Sequence, residues 1–138
     1  MKQLKTLIKY HQSLLDEKRK ALRAVQDEED QIVRMKKHLA DELVKQQGLV
    51  SENVEWGIHY GPYQDTIFRR QEVLENMRLA LQTKLDKAQE AVREAYRELK
   101  KFELTLERRQ EEERKDLERK EQIEADDMTA ARWNRQDT

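Results

Sequence analysis

The side chains able to do chemistry are plentiful in this chain but poorly spaced for it. The histidines are His11, His38 and His59, and no two of them form HExxH or an i, i+4 pair, the spacing that sets two imidazoles on one metal ion. Adjacent carboxylates recur at Glu28-Glu29, Glu111-Glu112-Glu113 and Asp126-Asp127. General acid–base work needs environments that push two pKa values apart, and a solvated helix face does not supply them. No cysteine is present, which excludes a disulfide scaffold and a cysteine-based metal site. GxxxxGK[ST], GxGxxG and GxSxG are all missing. The expectation is a protein that is not an enzyme, with no catalytic residue, no metal and no cofactor.

Two other residue classes remain. Basic clusters stand at Lys18-Arg19-Lys20, Lys36-Lys37, Arg69-Arg70, Lys100-Lys101 and Arg108-Arg109. Most have Asp or Glu within four residues, the spacing of exposed helical ion pairs. A nucleic-acid surface calls for one sign of charge with less acid interleaved, so no nucleic acid is expected as a partner. Aromatic residues Trp56, Tyr60 and Tyr63 crowd one segment, with Phe68 just beyond. They read equally as a cap on a core or as a docking tip, since aromatics are enriched at binding hot spots.

Composition says what can position these groups. Of 138 residues 41% are charged and 36% hydrophobic, with 3 Gly and 1 Pro, and the net charge is −1. Ordinary domains are about 25% charged and 45–50% apolar, so a multilayer core is out of reach. The longest apolar run is Leu79-Ala80-Leu81, too short to span a bilayer. The start, MKQLKTLIKYH, lacks the apolar core of a signal peptide. A cytoplasmic protein with no direct membrane insertion is expected.

The apolar residues follow a heptad. In the first stripe the d positions are Leu4, His11, Lys18, Val25, Ile32, Leu39 and Gln46, and the a positions are Ile8, Leu15, Leu22, Glu29, Lys36, Leu43 and Val50. Leu7, Leu14, Ala21, Met35 and Leu49 broaden it from the g column. In the second, d is Ile67, Leu74, Leu81, Ala88, Ala95 and Phe102, and a is Gln71, Arg78, Leu85, Val92, Leu99 and Leu106. The stripe stops at Leu106, while residues 107–127 stay rich in Glu, Lys and Arg. Between the stripes, residues 48–62 hold every glycine and the one proline.

This pattern predicts an all-α fold, a long antiparallel two-helix coiled-coil hairpin with a charged C-terminal helical overhang. The single domain spans 1–127, with helices at 3–50 and 63–127 and a turn over 51–62. The turn has room for extra helix at 49–56. Pro62 suits the first position of the second helix, and residues 128–138 are expected as a flexible tail. Facing residues should have numbers adding to about 110, because a heptad seam constrains partners. On that pairing Glu29 lies near Leu81 and Lys36 near Leu74, neither with a charge partner.

The layout resembles the family of small coiled-coil proteins of type III protein export, known as FliJ in the flagellum and YscO/SctO in the virulence injectisome. The resemblance runs through the start, MKQLKTLIKYHQSLLDEKRKAL, and is sharpest at Ala95-Tyr96-Arg97-Glu98-Leu99-Lys100-Lys101-Phe102-Glu103-Leu104. A Glu-rich overhang ending in acid follows there too, as residues 121–128 do here. It implies a central stalk and coupling protein of the export ATPase complex. The open end of such a hairpin enters a hexameric ATPase, and the other end reaches the cytoplasmic domain of the export-gate protein. Some members also bind secretion chaperones. The implied location is cytoplasmic, peripheral to the inner-membrane export apparatus. Carried onto this chain, the candidate ATPase contacts are Lys2, Lys5, Lys9, Lys100, Lys101, Arg108 and Arg109. The candidate gate contacts are Gln46, Gln47, Trp56, Tyr60, Tyr63 and Arg70. The Lys-aromatic-Glu-Leu stretch leans toward the injectisome. A second reading stays open, a self-associating structural coiled-coil adaptor with no export role. Leu7, Leu14, Met35, Val73, Met77 and Leu104 would support it.

Overall fold

The computed structural model describes residues 1–52 and 54–136, of which 50–52, 54–57 and 59 are described in backbone only. Two helices account for the described chain, α1 (Lys2–Glu52) and α2 (Val54–Gln136), and they pack on each other as a helical hairpin. Good helix formers (Leu, Glu, Lys, Arg, Gln, Ala) fill both, and helix breakers occur only at 48–62. Helices this long persist by burying an amphipathic face rather than by propensity alone. Each described a or d position named above is buried or half-buried, polar ones included. From 107 to 136 every residue is exposed.

The chain forms two units. The central unit, Leu14–Ala95, holds the buried residues Leu15, Ile32, Leu39, Ile67 and Ala95. Its register is antiparallel: Lys36 on α1 pairs with Glu75 on α2, and six residues on, Glu42 accepts a hydrogen bond from the Tyr63 hydroxyl. The terminal unit combines Met1–Ser13 with Tyr96–Thr138. There Leu4, Ile8 and Leu99 are buried. His11 stacks on Phe102 with ring centroids 4.7 Å apart and planes at 27°, and Tyr10 meets the imidazole edge-on at 5.2 Å. His11 is thus a packing residue.

Several expectations change. The segment 51–62 is not a long turn, since α1 continues to Glu52 and α2 begins at Val54. Pro62 lies inside α2 instead of opening it. Its ring nitrogen has no hydrogen for the Ile58 carbonyl. Gly61 before it lacks the Cβ that would crowd the proline ring in a helical conformation. α2 runs past residue 127, the expected end of the second helix, to Gln136. The g-column residues Leu7, Met35 and Leu49 remain exposed and Leu14 is half-buried, so the seam is narrower than the a, d and g columns of the first stripe suggested.

The polar seam also has partners. The Lys36 ammonium pairs with Glu75, and Arg78 holds the same carboxylate through Nε at 3.1 Å and Nη2 at 2.8 Å. The negative charge of Glu29 acts on Arg78 as well. Two polar seam residues, Lys36 and Arg78, are therefore neutralised by Glu75, an e-position residue beside Leu74. Pairing by a and d positions alone misses it. Hydrogen bonds from Arg78 and then Lys36 hold the Glu75 carboxyl at about 2, well below the ordinary 4.5. Polar groups at a and d lower stability but fix register, since a slipped alignment leaves them unpaired.

Candidate partner-binding surfaces

The terminal unit contains all seven candidate ATPase contacts. Lys2, Lys5 and Lys9 are exposed, and their i, i+3, i+7 spacing places them on one face of α1. Residues 1–13 contain no acid, so these ammonium groups have no i, i+4 carboxylate on that side. On α2, Lys100 is already engaged: its Nζ lies 3.0 Å from Glu103 and 5.6 Å from the centre of the Tyr96 ring. The Glu103 hydrogen bond and charge raise the Lys100 pKa further. Lys101, Arg108 and Arg109 are exposed, the two arginines on the part of α2 beyond Leu106.

Past Leu106 the helix carries its own stabilisation. Arg114 holds Glu111 three residues back, at 2.6 Å, and Glu118 four residues on. Gln122 donates to Asp126 at 3.1 Å, and Thr129 to the Ala125 carbonyl at 2.9 Å. The Glu111 carboxyl is lowered by its hydrogen bond from Arg114, whose own pKa rises in return. Such exposed pairs contribute a few tenths of a kcal/mol each in isolated helices. They support a helix whose every face meets water.

The candidate gate contacts divide. Gln47 and Arg70 are exposed. Gln46 and Tyr60 are half-buried, and the Gln46 Oε1 and Tyr60 hydroxyl are buried with no hydrogen-bond partner. Tyr63 donates to Glu42 across the seam, and that bond raises its pKa. Tyr60 and Tyr63 are thus half-buried rather than fully presented to solvent. The Trp56 side chain lies outside the described residues, as does that of His59. His38 is exposed.

A further feature escaped the heptad reading. In the central unit Arg34, Met35, His38 and Leu39 on α1 and Thr66, Arg69, Arg70, Val73 and Leu74 on α2 line an open groove of about 630 Å³. Met35 and Val73 were visible in the sequence as leftover apolar residues. Their juxtaposition across two helices was not, because it depends on which flank of each helix meets the other. Among the described residues no group of three or more His, Asp or Glu could hold a metal ion, and no helix is long and apolar enough to cross a membrane. Comparison with known protein families, with curated proteins and with solved structures finds no match.

Proposed function

We propose that this chain is the central stalk and coupling protein of a type III protein export ATPase, of flagellar or injectisome type. The observation that carries the reading is the terminal unit. A basic, acid-free start packs on the Tyr96–Leu106 stretch, and α2 then continues for 30 exposed, mostly charged residues. In this reading Lys2, Lys5, Lys9, Lys101, Arg108 and Arg109 contact a hexameric ATPase, while Gln47 and Arg70 contact the cytoplasmic domain of the export gate. The role is mechanical and non-enzymatic, without cofactor. The location is cytoplasmic, beside the inner-membrane export apparatus, with secretion chaperones as a further partner class. Exposed mixed-charge pairs suit a stalk that slips past similar subunits, because each is weak and readily exchanged.

The test is native mass spectrometry and ATP hydrolysis with a candidate export ATPase. One copy per hexamer with faster hydrolysis is expected, and Lys2→Glu with Lys5→Glu and Lys9→Glu should weaken both. No association removes the reading. The exposed apolar residues Met35, Val73 and Met77 favour the self-associating adaptor as the second reading. Sedimentation separates the two, since the stalk is a monomer when dilute and the adaptor is not.

A further inference from the structure

The groove in the central unit takes no part in the ATPase contacts above and shares only Arg70 with the gate contacts. Its floor is apolar: Leu39 and Leu74 belong to the seam, and Met35 and Val73 are 53% and 57% exposed beside them. Its rim is cationic. Arg34 stands on the α1 side and Arg69 and Arg70 on the α2 side, with His38 and Thr66.

The arginines of the rim differ from five others in the chain. Arg19, Arg78, Arg93, Arg114 and Arg119 each reach a carboxylate at helix spacing. Arg34, Arg69 and Arg70 make no ion pair among the described residues, although Asp30 is four residues before Arg34 and Asp65 four before Arg69. Arg70 has no carboxylate at i±3 or i±4. Three guanidinium groups with unused bidentate donors thus surround an apolar floor.

An apolar floor between cationic rims complements one kind of ligand, a helix with apolar anchors on one face and carboxylates flanking them. The lining on α2 runs from Thr66 to Leu74, about 12 Å or two turns at 1.5 Å per residue. That length takes two anchors at i and i+4. The chain's own overhang does not supply them: Leu117, Ile123, Met128 and Trp133 are five or six residues apart, never three or four. A nucleic-acid phosphate is disfavoured by Asp41 and Glu42, which line the adjoining cavity with His38.

We propose that this groove receives an acidic amphipathic helix of a partner protein, anchored on Met35 and Val73 and clamped by Arg34, Arg69 and Arg70. The proposal does not rest on the export reading. The probe is an 18-residue peptide with Leu at i, i+4, i+7 and i+11 and Glu and Ala elsewhere, against a twin with Lys in place of Glu. The full chain, labelled at its methionine methyls, is titrated with each and followed by NMR. The acidic peptide should shift the Met35 methyl saturably, more weakly as salt rises, and the Lys twin should not. Arg34→Glu with Arg69→Glu, both at exposed sites, should cost at least tenfold in affinity for the acidic peptide and create binding of the Lys twin. Arg69→Glu alone should give an intermediate loss. Equal binding of both peptides, binding of neither, or an unchanged affinity after charge reversal overturns the proposal. So does a Met35 methyl that shifts on dilution of the free chain as its sedimentation mass falls, which makes a second copy the occupant.

Discussion

Replacing Ile67 by alanine tests the seam where it is driest. Ile67 is 1% exposed, the one large side chain with essentially no contact with solvent among the described residues. The substitution removes three carbons, worth about 2.4 kcal/mol at roughly 0.8 kcal/mol per buried methylene. Deleting a core isoleucine costs about 2–5 kcal/mol once the residual cavity is counted. Thr66 and Phe68, its neighbours in sequence, are exposed. A two-helix seam can therefore close partly over the gap, which puts the loss near the low end, about 2.5 kcal/mol. That is a roughly seventyfold change in the folding equilibrium. Urea unfolding followed by circular dichroism reads it as a midpoint drop of about 1 M or more, for a urea dependence near 2 kcal/mol/M. Val73→Ala, on an exposed face, is the control and should leave the midpoint nearly unchanged. If both variants shift the midpoint equally, the seam through Ile67 is not what holds the helices together.

Acid should weaken the central unit through Glu75. Its folded carboxyl titrates near 2 against 4.5 ordinarily, so the unfolded chain takes up the proton first, and the stabilisation present above 4.5 is lost as pH falls toward 2. Glu75→Gln should lower the urea midpoint at pH 7, and its difference from the parent should shrink on acidification; a difference constant with pH refutes the linkage. Gly48→Ala should raise stability by about 1 kcal/mol, because a Cβ there meets nothing within 4 Å and the glycine sits in a helix interior with no positive φ. Gly61 has the same open space, but Ala there precedes Pro62 and should give a smaller gain or a loss when the two variants are compared by thermal melting. Leu22→Asp, at a half-buried seam site, should cost roughly 1–3 kcal/mol by bringing an unpaired carboxylate to the apolar stripe; an unaltered melt places Leu22 off the seam. Arg114→Gln removes the ties to Glu111 and Glu118 and should speed amide exchange across 107–130 while leaving the paired helices alone; unchanged exchange means those ties do not hold the overhang.

The helical hairpin and its seam were legible because helix period and burial have one cause. A residue at a or d must face the partner helix whatever its chemistry. Lys18, Glu29, Lys36, Gln71 and Arg78 therefore lie half-buried where the heptad puts them, and residues 107–136 are exposed where it stops. The basic, acid-free start was equally plain, since charge is a property of the residues themselves. Helix ends were less so. Gly48, Gly57, Gly61 and Pro62 argued for a turn, yet α1 runs past Gly48 and α2 contains the other three. A local breaker weighs a few kcal/mol at most, and packing of the flanking turns can override it.

The sequence by itself determined that two amphipathic helices pair along one stripe, because the 3.6-residue period leaves the apolar residues no other common face. Only the tertiary structure decided what lies on either side of that stripe. Glu75 reaching Lys36, Tyr63 turning to Glu42, and Met35 and Val73 lining one groove with three arginines all depend on the small stagger and rotation of one helix against the other. Those offsets emerge from the packing of many side chains at once, so no pattern within a single helix records them.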